Sequence, residues 1–130
     1  MSLASAQVRA TIAVSDMTTA AEFYEGTLGL SPHGDEIMNH VRIYACGGGS
    51  LLQVYASEHA GTATATVASW SADDFESVVE DLKAKGVTFE TEGGPETDET
   101  GVHTFGGHKV VWFKDPDGNT IAVDNGGAPS

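Results

Sequence analysis

The sequence predicts an α+β fold of two βαβββ modules packed side by side, with a mixed sheet curved around a shared cleft and the helices outside. The main observation is an internal repeat, since a strand, a helix and three further strands are predicted twice along the chain. In both halves an aspartate stands 13 residues before a glycine, Asp16 before Gly29 and Asp73 before Gly86. The strands also alternate apolar and polar residues, which is typical of sheets with two unlike faces.

The first module opens with a strand predicted at residues 8–14, where the side chains alternate in character. Ser15 and Asp16 offer N-cap oxygens to a helix predicted at residues 18–28, and Gly29 ends it. The helix has a stripe of residues at helical spacing, which are Ala20, Phe23, Tyr24, Thr27 and Leu28. Three strands are then predicted, at residues 30–36, 41–46 and 50–56. Three consecutive glycines form the turn between the last two.

The second module repeats this order with a strand predicted at residues 62–71. Asp73 and Asp74 are predicted to cap a helix at residues 75–85, which Gly86 ends. Its apolar stripe consists of Phe75, Val78, Val79 and Leu82. Three further strands are predicted, at residues 87–90, 109–114 and 120–124. Residues 91–100 lack apolar periodicity and are predicted as a loop, and the glycine-rich end after residue 125 is predicted to fray.

Length and composition limit the function classes. The 130 residues have room for one domain, with modules at about residues 8–57 and 62–125. The chain has 19 acidic residues and 6 basic ones, which gives a formal charge of −13. This negative charge argues against nucleic acid or an anionic membrane as a partner. No apolar run approaches the ~20 residues that cross a bilayer, and the first residues lack a secretion signal. Cys46 is the single cysteine, which fits a reducing cytoplasm, so we expect a cytoplasmic protein.

Strand alternation assigns side chains to opposite sheet faces. The residues predicted to lie in the core are Val8, Ala10, Ile12, Val14, Leu52, Val54, Val111, Phe113, Ile121 and Val123. Those predicted to face the cleft include Arg9, Thr11, Gln53, Tyr55, His108, Trp112 and Ala122. In the strand at residues 62–71 the register stays open, because Thr66 and Val67 both suit the lining.

Two motifs resemble the opening and closing signatures of the vicinal oxygen chelate superfamily. The opening motif comprises Ala13-Val14-Ser15-Asp16-Met17, then Phe23-Tyr24-Glu25 and Leu28-Gly29-Leu30. The closing motif is Trp112-Phe113-Lys114 followed by the turn Asp115-Pro116-Asp117-Gly118-Asn119. The resemblance spans roughly residues 8 to 125. It implies the fold of a group that contains glyoxalases, bleomycin-resistance proteins, fosfomycin-modifying enzymes, extradiol dioxygenases and methylmalonyl-CoA epimerases, without naming one chemistry.

The resemblance also implies four strand positions that catalytic members fill with His, Glu or Gln as ligands of a divalent metal. In this sequence they fall on Arg9, Gln53 (or Leu52), Thr66 or Val67, and Ala122. Arginine is always protonated, valine and alanine have no donor atom, and threonine is a poor ligand, so only Gln53 suits a metal. We therefore expect no cofactor and no metal at this site. A different metal site, shared by His103, His108 and an acidic residue, remains an alternative.

The predicted lining favours a binding protein. The residues expected to contact a ligand are Arg9, Thr11, Arg42, Tyr44, Gln53, Tyr55, Trp70, His103, His108 and Trp112. Aromatic side chains stack on flat molecules and on cations. The sequence thus predicts a glyoxalase/bleomycin-resistance-like protein that binds a small organic molecule in the inter-module cleft without the family's usual metal. The resemblance, together with sheet edges that a second chain would cover, predicts a homodimer.

Alternatives to this interpretation stay open in the sequence. Trp70 and Trp112 could be core residues, and Arg9 could form a structural ion pair. The chain could also be a metal-dependent lyase, epimerase or dioxygenase of the same superfamily. In that case His108 or His103 would be the general base, and Arg9 would stabilise developing negative charge. Binding is favoured because the sequence has no evident nucleophile or acid–base pair.

Overall fold

The computed structural model describes residues 3–34, 40–91 and 101–126 of the chain. The chain divides into two compact units, Met1–Thr62 and Ala63–Ser130. Each unit contains one four-stranded mixed sheet, which confirms the α+β class and the duplicated βαβββ pattern. The loop predicted at residues 91–100 lies outside the described residues except for Thr91, and so does the frayed end predicted after residue 125 except for Gly126.

The first unit contains the first sheet, whose strands follow the predicted order. They are β1 (Ala10–Val14), β2 (Ser31–Pro32), β3 (Val41–Ala45) and β4 (Leu51–Ala56). Their order across the sheet is β1-β4-β3-β2. The strands β1 and β4 run parallel, whereas the β3–β4 and β2–β3 pairs are antiparallel.

The helix between β1 and β2 begins as α1 (Met17–Ala21). Asp16 caps it as predicted, since its Oδ1 accepts hydrogen bonds from the backbone N–H groups of Thr18 at 2.8 Å and Thr19 at 3.0 Å. Such a cap satisfies donors that have no partner within the helix. The chain leaves the helix at Gly29, whose φ of 74° is a left-handed conformation that suits glycine.

The second half of this helix differs from the uniform α-helix that its apolar spacing predicts. Residues Glu22–Thr27 form a π-helical segment, in which the Leu28 N–H reaches back five residues to the Phe23 carbonyl at 2.9 Å. Tyr24 is fully buried within it. The wider turn places Tyr24 and Glu25 over β3, so tertiary contacts set the helix type here.

The second unit contains the second sheet and one regular helix. Its elements are β5 (Thr66–Ser71), α2 (Phe75–Ala84), β6 (His103–Phe105), β7 (His108–Lys114) and β8 (Thr120–Asp124). The sheet order is β5-β8-β7-β6, with β5 and β8 parallel and the other pairs antiparallel. This order matches that of the first sheet, as a duplicated module requires.

Two local predictions in the second unit are wrong. The segment predicted as a strand at residues 87–90 is not a strand, although the Glu90 N–H donates to the Trp112 carbonyl at 2.7 Å. The strand that pairs with β7 is instead β6, joined to it through two glycines of positive φ. Asp74 is the N-cap of α2, but its side chain makes no capping hydrogen bond, so the predicted carboxylate cap is absent at that residue.

One face of each sheet packs against the helix of its own unit. In the first unit the buried residues include Ile12, Val14, Ala20, Tyr24, Tyr44, Leu52 and Val54. In the second they include Phe75, Val79, Leu82, Val111, Phe113, Ile121 and Val123. Apart from Tyr44, the strand residues in these two sets are ones that the alternation assigns to the core. The prediction is wrong for Val8, which lies before β1 and is 86% exposed. Burial alone does not separate the two faces of the second sheet, because Val110 and Ala122, predicted to face the cleft, are buried as well. Among the described residues, no helix is long and apolar enough to span a membrane.

Candidate functional site

The first sheet has one face that does not pack against the helix, which we term the helix-free face of the first sheet. It carries Thr11, Ala13, Ile43, Leu51, Gln53 and Tyr55. Thr11 and Gln53 are opposite each other in the parallel pair, and Gln53 is opposite Ile43 in the antiparallel pair. Thr11 and Tyr55 are exposed, whereas Gln53 and Ile43 are half-buried. Three predicted ligand contacts, Thr11, Gln53 and Tyr55, therefore share one accessible surface.

Arg9 lies beside this face, directly before β1. Its Nε donates a hydrogen bond to Oε1 of Gln53 at 2.9 Å, and the guanidinium is exposed. The structure thus brings together two residues that the sequence assigned to the same face. The bond joins Arg9 to a neutral amide, not to the carboxylate that a structural ion pair would need.

Arg42 and Tyr44 lie on the opposite face, which corrects the expectation that they share a surface with Gln53. Their cross-strand neighbours are Val54 and Leu52, both buried under the helix. Arg42 Nη1 donates to Oε2 of Glu25 at 2.8 Å. The alternation in β3 misleads here, because its apolar residues Val41, Ile43 and Ala45 lie on the helix-free face and its two polar residues lie under the helix.

Glu25 connects these two residues in a half-buried cluster. The Tyr44 hydroxyl donates to the same Oε2 at 2.9 Å, and its ring stacks on Tyr24 with centroids 6.2 Å apart. Burial first, and then the Glu25 hydrogen bond, raise the pKa of the Tyr44 hydroxyl far above its usual value. The hydroxyl therefore stays a neutral donor. This cluster fastens the π-helical segment to β3, which is a structural role.

The Glu25→Gln variant is expected to lower the free energy of unfolding by about 1–2 kcal/mol. The amide keeps one acceptor but loses the charge that Arg42 pairs with, and the partial exposure of this ion pair limits the cost. Urea unfolding measures the change. Glu22→Gln is the matched control, because Glu22 is an exposed residue of the same segment, and it should change stability by less than about 0.5 kcal/mol. Equal effects of the two variants would contradict the role assigned to Glu25.

The second sheet also has a face turned away from its helix, termed here the helix-free face of the second sheet. It carries Thr66, Ser69, His108, Val110, Trp112 and Ala122. Trp112 is opposite Ala122, which in turn is opposite Ser69. The opposite face of this sheet is the one that packs against α2. It carries Lys109, whose Nζ contacts Oε1 of Glu76 on α2 at 3.1 Å. Trp112 is half-buried and lies on the sheet face opposite that of its core neighbours Val111 and Phe113.

His103 holds the ring of Trp112. The two ring centroids lie 4.9 Å apart in an edge-to-face arrangement. His103 is fully buried, and its Nε2 donates to the Glu90 carbonyl oxygen at 2.9 Å. Since a carbonyl oxygen only accepts, Nε2 carries the proton. His103 therefore supports the aromatic wall rather than presenting that nitrogen as a base.

Trp70 does not share a face with Trp112, although both were expected to contact a ligand. Trp70 is opposite Val123 and is half-buried on the helix side of the second sheet. The register of β5 shifts between Thr66 and Ala68, where Val67 is the extra residue. This bulge explains why Thr66 and Val67 could not be told apart by alternation, and it sets the direction of every later side chain in the strand.

The four positions that bind a metal in catalytic relatives do not fit one here. The first sheet offers only Gln53, and its Oε1 accepts the hydrogen bond from Arg9. The second sheet offers Thr66 and Ala122, a hydroxyl and a methyl group. Elsewhere in residues 3–34, 40–91 and 101–126, no three His, Cys, Asp or Glu side chains are grouped so that they could hold a metal. A guanidinium, an amide, a hydroxyl and a methyl group do not make a metal-binding set.

Two repeats of strand, helix and three strands, with polar and aromatic side chains on the helix-free faces, define a tandem βαβββ protein. The family model of the Glyoxalase/Bleomycin resistance protein/Dioxygenase superfamily matches residues 6–123. The chain belongs to this superfamily, which confirms the resemblance that its two motifs carry. A comparison with curated protein sequences gives no match.

Solved structures share the fold over nearly the whole chain. A bleomycin resistance determinant encoded on the transposon Tn5 has a TM-score of 0.71 and 20% identity, covering 94% of this chain and 98% of that one. TnmS3, an antibiotic binding protein from Streptomyces sp. CB03234, has a TM-score of 0.65 and 22% identity over 92% and 96%. A glyoxalase/bleomycin resistance protein from Catenulispora acidiphila has a TM-score of 0.67 and 24% identity over 91% and 96%. At these identities the likeness establishes the fold.

Proposed function

We propose that this protein binds a small, flat organic molecule without a metal ion, and sequesters it rather than transforming it. The observation that carries the proposal is the hydrogen bond from Arg9 to Oε1 of Gln53. This hydrogen bond occupies Oε1 of Gln53, the only side chain at the four family metal positions that suits a metal ion. Metal ligands must offer free lone pairs to the ion, and a guanidinium beside the amide oxygen repels a divalent cation.

Each helix-free face carries an aromatic side chain, and each of these rings offers a stacking surface to a flat ligand. Trp112 is half-buried, and His103 fixes its orientation from the edge. Tyr55 is 36% exposed on the first sheet. Rings of this kind bind planar molecules by stacking at low entropic cost when they are already held in place. Two solved relatives of this fold are an antibiotic binding protein and a bleomycin resistance determinant, which favours the same kind of ligand here.

The alternative, a metal-dependent lyase, epimerase or dioxygenase, has less support. Its metal would need ligands that the four family positions do not supply. Of its two candidate bases, His103 is buried and commits Nε2 to the Glu90 carbonyl. Binding requires none of these groups. The homodimer predicted from the resemblance stays part of the proposal.

Bleomycin is expected to quench the tryptophan fluorescence of protein treated with a metal chelator. The chain has two tryptophans, so a Trp112→Phe variant should lose most of the quenching, because only Trp112 lies on a helix-free face. Trp70→Phe is the matched control and should keep it, since Trp70 lies on the helix side of the same sheet. Titration of the wild type and both variants measures the effect.

Three results would contradict the proposal. The first is that chelation abolishes binding, and the second is that protein purified without an affinity tag contains one Fe, Zn, Mn or Ni per chain. The third is that neither bleomycin nor any flat aromatic compound in a ligand panel changes the fluorescence. If Trp70→Phe removed the quenching instead, the ligand would bind elsewhere than on the helix-free face of the second sheet.

A further inference from the structure

We infer that the ligand carries an anionic group, a carboxylate or a group of like charge and shape, and that Arg9 binds it. The inference rests on the proposed function, because it names the chemical class of the molecule bound. Its starting point is a contrast between Arg9 and the four ion-paired cations Arg42, Lys85, Lys109 and Lys114 of a strongly acidic chain. The argument then depends on the direction in which the guanidinium is held and on what surrounds it.

Most cations of this protein are neutralised by a carboxylate. The chain has 6 basic residues against 19 acidic ones. Among the described residues, ion pairs join Arg42 to Glu25 at 2.8 Å, Lys85 to Asp81 at 3.3 Å, Lys109 to Glu76 at 3.1 Å and Lys114 to Glu90 at 3.1 Å. The Nζ of Lys83 lies 6.0 Å from the centroid of the Phe89 ring. Arg9 instead bonds the neutral amide of Gln53. Within the described part of the chain, its charge is not matched by a carboxylate contact.

The Gln53 bond also orients the guanidinium. Arg9 uses Nε for this bond, at 2.9 Å. A guanidinium has five N–H donors in a fixed plane. Those on Nη1 and Nη2 form no hydrogen bond with a residue in the described part of the chain. Two parallel N–H donors match the two oxygens of a carboxylate, and such charge-assisted pairs are stronger than neutral hydrogen bonds. Gln53 acts here as a positioning residue for Arg9.

The surrounding surface suits an anion with an apolar body. The residues of β1, β3 and β4 on the helix-free face of the first sheet include no carboxylate. Ile43 and Leu51 are half-buried there, and Tyr55 adds an aromatic ring. An anion at Arg9 therefore meets no like charge on these strands, while its apolar part gains contact with this surface. A cationic ligand would be repelled by the Arg9 guanidinium and would find no carboxylate on these strands. The local charge at Arg9 is therefore positive, although the net charge of the chain is negative.

Three probes of one shape test the inference: 2-naphthoate, 2-naphthamide and the 2-naphthylmethylammonium ion, each titrated calorimetrically. Wild-type protein should bind the anion most tightly and the cation most weakly. Arg9→Gln should weaken naphthoate binding about tenfold, the loss expected for a charge-assisted pair, and leave naphthamide within about twofold. Lys83→Gln is the matched control, because it removes the same charge from an exposed position on α2.

Chemical modification gives a second readout that does not depend on a variant. Phenylglyoxal reacts with guanidinium groups, and the chain has two arginines. Arg9 is exposed, whereas Arg42 is half-buried and bonded to Glu25. Mass spectrometry should show faster modification of Arg9. Naphthoate should protect Arg9 and naphthamide should not, while Arg42 serves as the internal reference.

The outcomes separate this inference from the proposed function. Equal binding of naphthoate and naphthamide, equal losses in Arg9→Gln and Lys83→Gln, or no binding of any naphthalene probe would each overturn the inference. None of these results affects the bleomycin test, because bleomycin is a cation and tests only the aromatic surface at Trp112 on the second sheet, not the anion site at Arg9. Conversely, a failure of the fluorescence test with tight, Arg9-dependent naphthoate binding would remove the proposed role of Trp112 and keep the anion site.

Discussion

Asp115→Ala is expected to lower the free energy of unfolding by about 3 kcal/mol. Asp115 is only 5% exposed, and it opens the turn between β7 and β8. Its Oδ1 accepts from the backbone N–H groups of Asp117 at 3.0 Å and Asn119 at 2.8 Å, and its Oδ2 accepts from Asn119 Nδ2 at 2.9 Å. Alanine would leave these donors without their acceptor in a buried turn, and hydrogen bonds to charged groups are among the costlier ones to remove. Urea unfolding with a constant m value measures the loss.

Two further variants make this test specific. Asp115→Asn keeps an oxygen for the backbone donors but loses the charge, so it should cost about half as much. Asp73→Ala removes an exposed aspartate elsewhere in the same unit and should change stability by less than about 0.5 kcal/mol. If Asp115→Ala and Asp73→Ala had equal effects, the turn motif would not owe its stability to the Asp115 carboxylate.

The parts of the fold that local pattern determines could be predicted from the sequence. Burial of Ile12 and Val14 follows from period-2 alternation within a single strand, and the Asp16 cap follows from its place before a helical stripe. The two glycines that end the helices have φ values of 74° at Gly29 and 88° at Gly86, a conformation that few other residues adopt. Each of these features depends on neighbours a few residues away, so the chain itself carries the signal.

The parts that failed depend on partners distant in the chain. Tyr44 and Arg42 lie on the helix side because Glu25 meets them there, 19 and 17 residues away in sequence. The direction of Trp70 depends on a bulge that exists only in the pairing of β5 with β8. The strand at His103–Phe105 was missed because its short run has no apolar period, although the glycine pair after it was a turn signal. The sequence therefore placed candidate site residues on the correct sheet face where they lie in regular strands. It placed them on the wrong face where a tertiary contact or a bulge determines the direction of the side chain.

Phe113→Ala is expected to lower the free energy of unfolding by about 3–5 kcal/mol, while the adjacent Trp112→Phe changes it by less than about 1.5 kcal/mol. Phe113 is 1% exposed and packs against Phe89 with ring centroids 6.2 Å apart, so truncation leaves a cavity in the second sheet's core. Trp112 points to the other face and is half-buried, so a phenyl ring keeps much of its contact there.

Phe113→Leu retains more of the core and should fold well enough for titration, with bleomycin quenching preserved. Chemical unfolding and fluorescence of the three variants measure both properties. Loss of quenching in folded Phe113→Leu, or equal destabilisation by Phe113→Ala and Trp112→Phe, would contradict this division between a core face and a binding face.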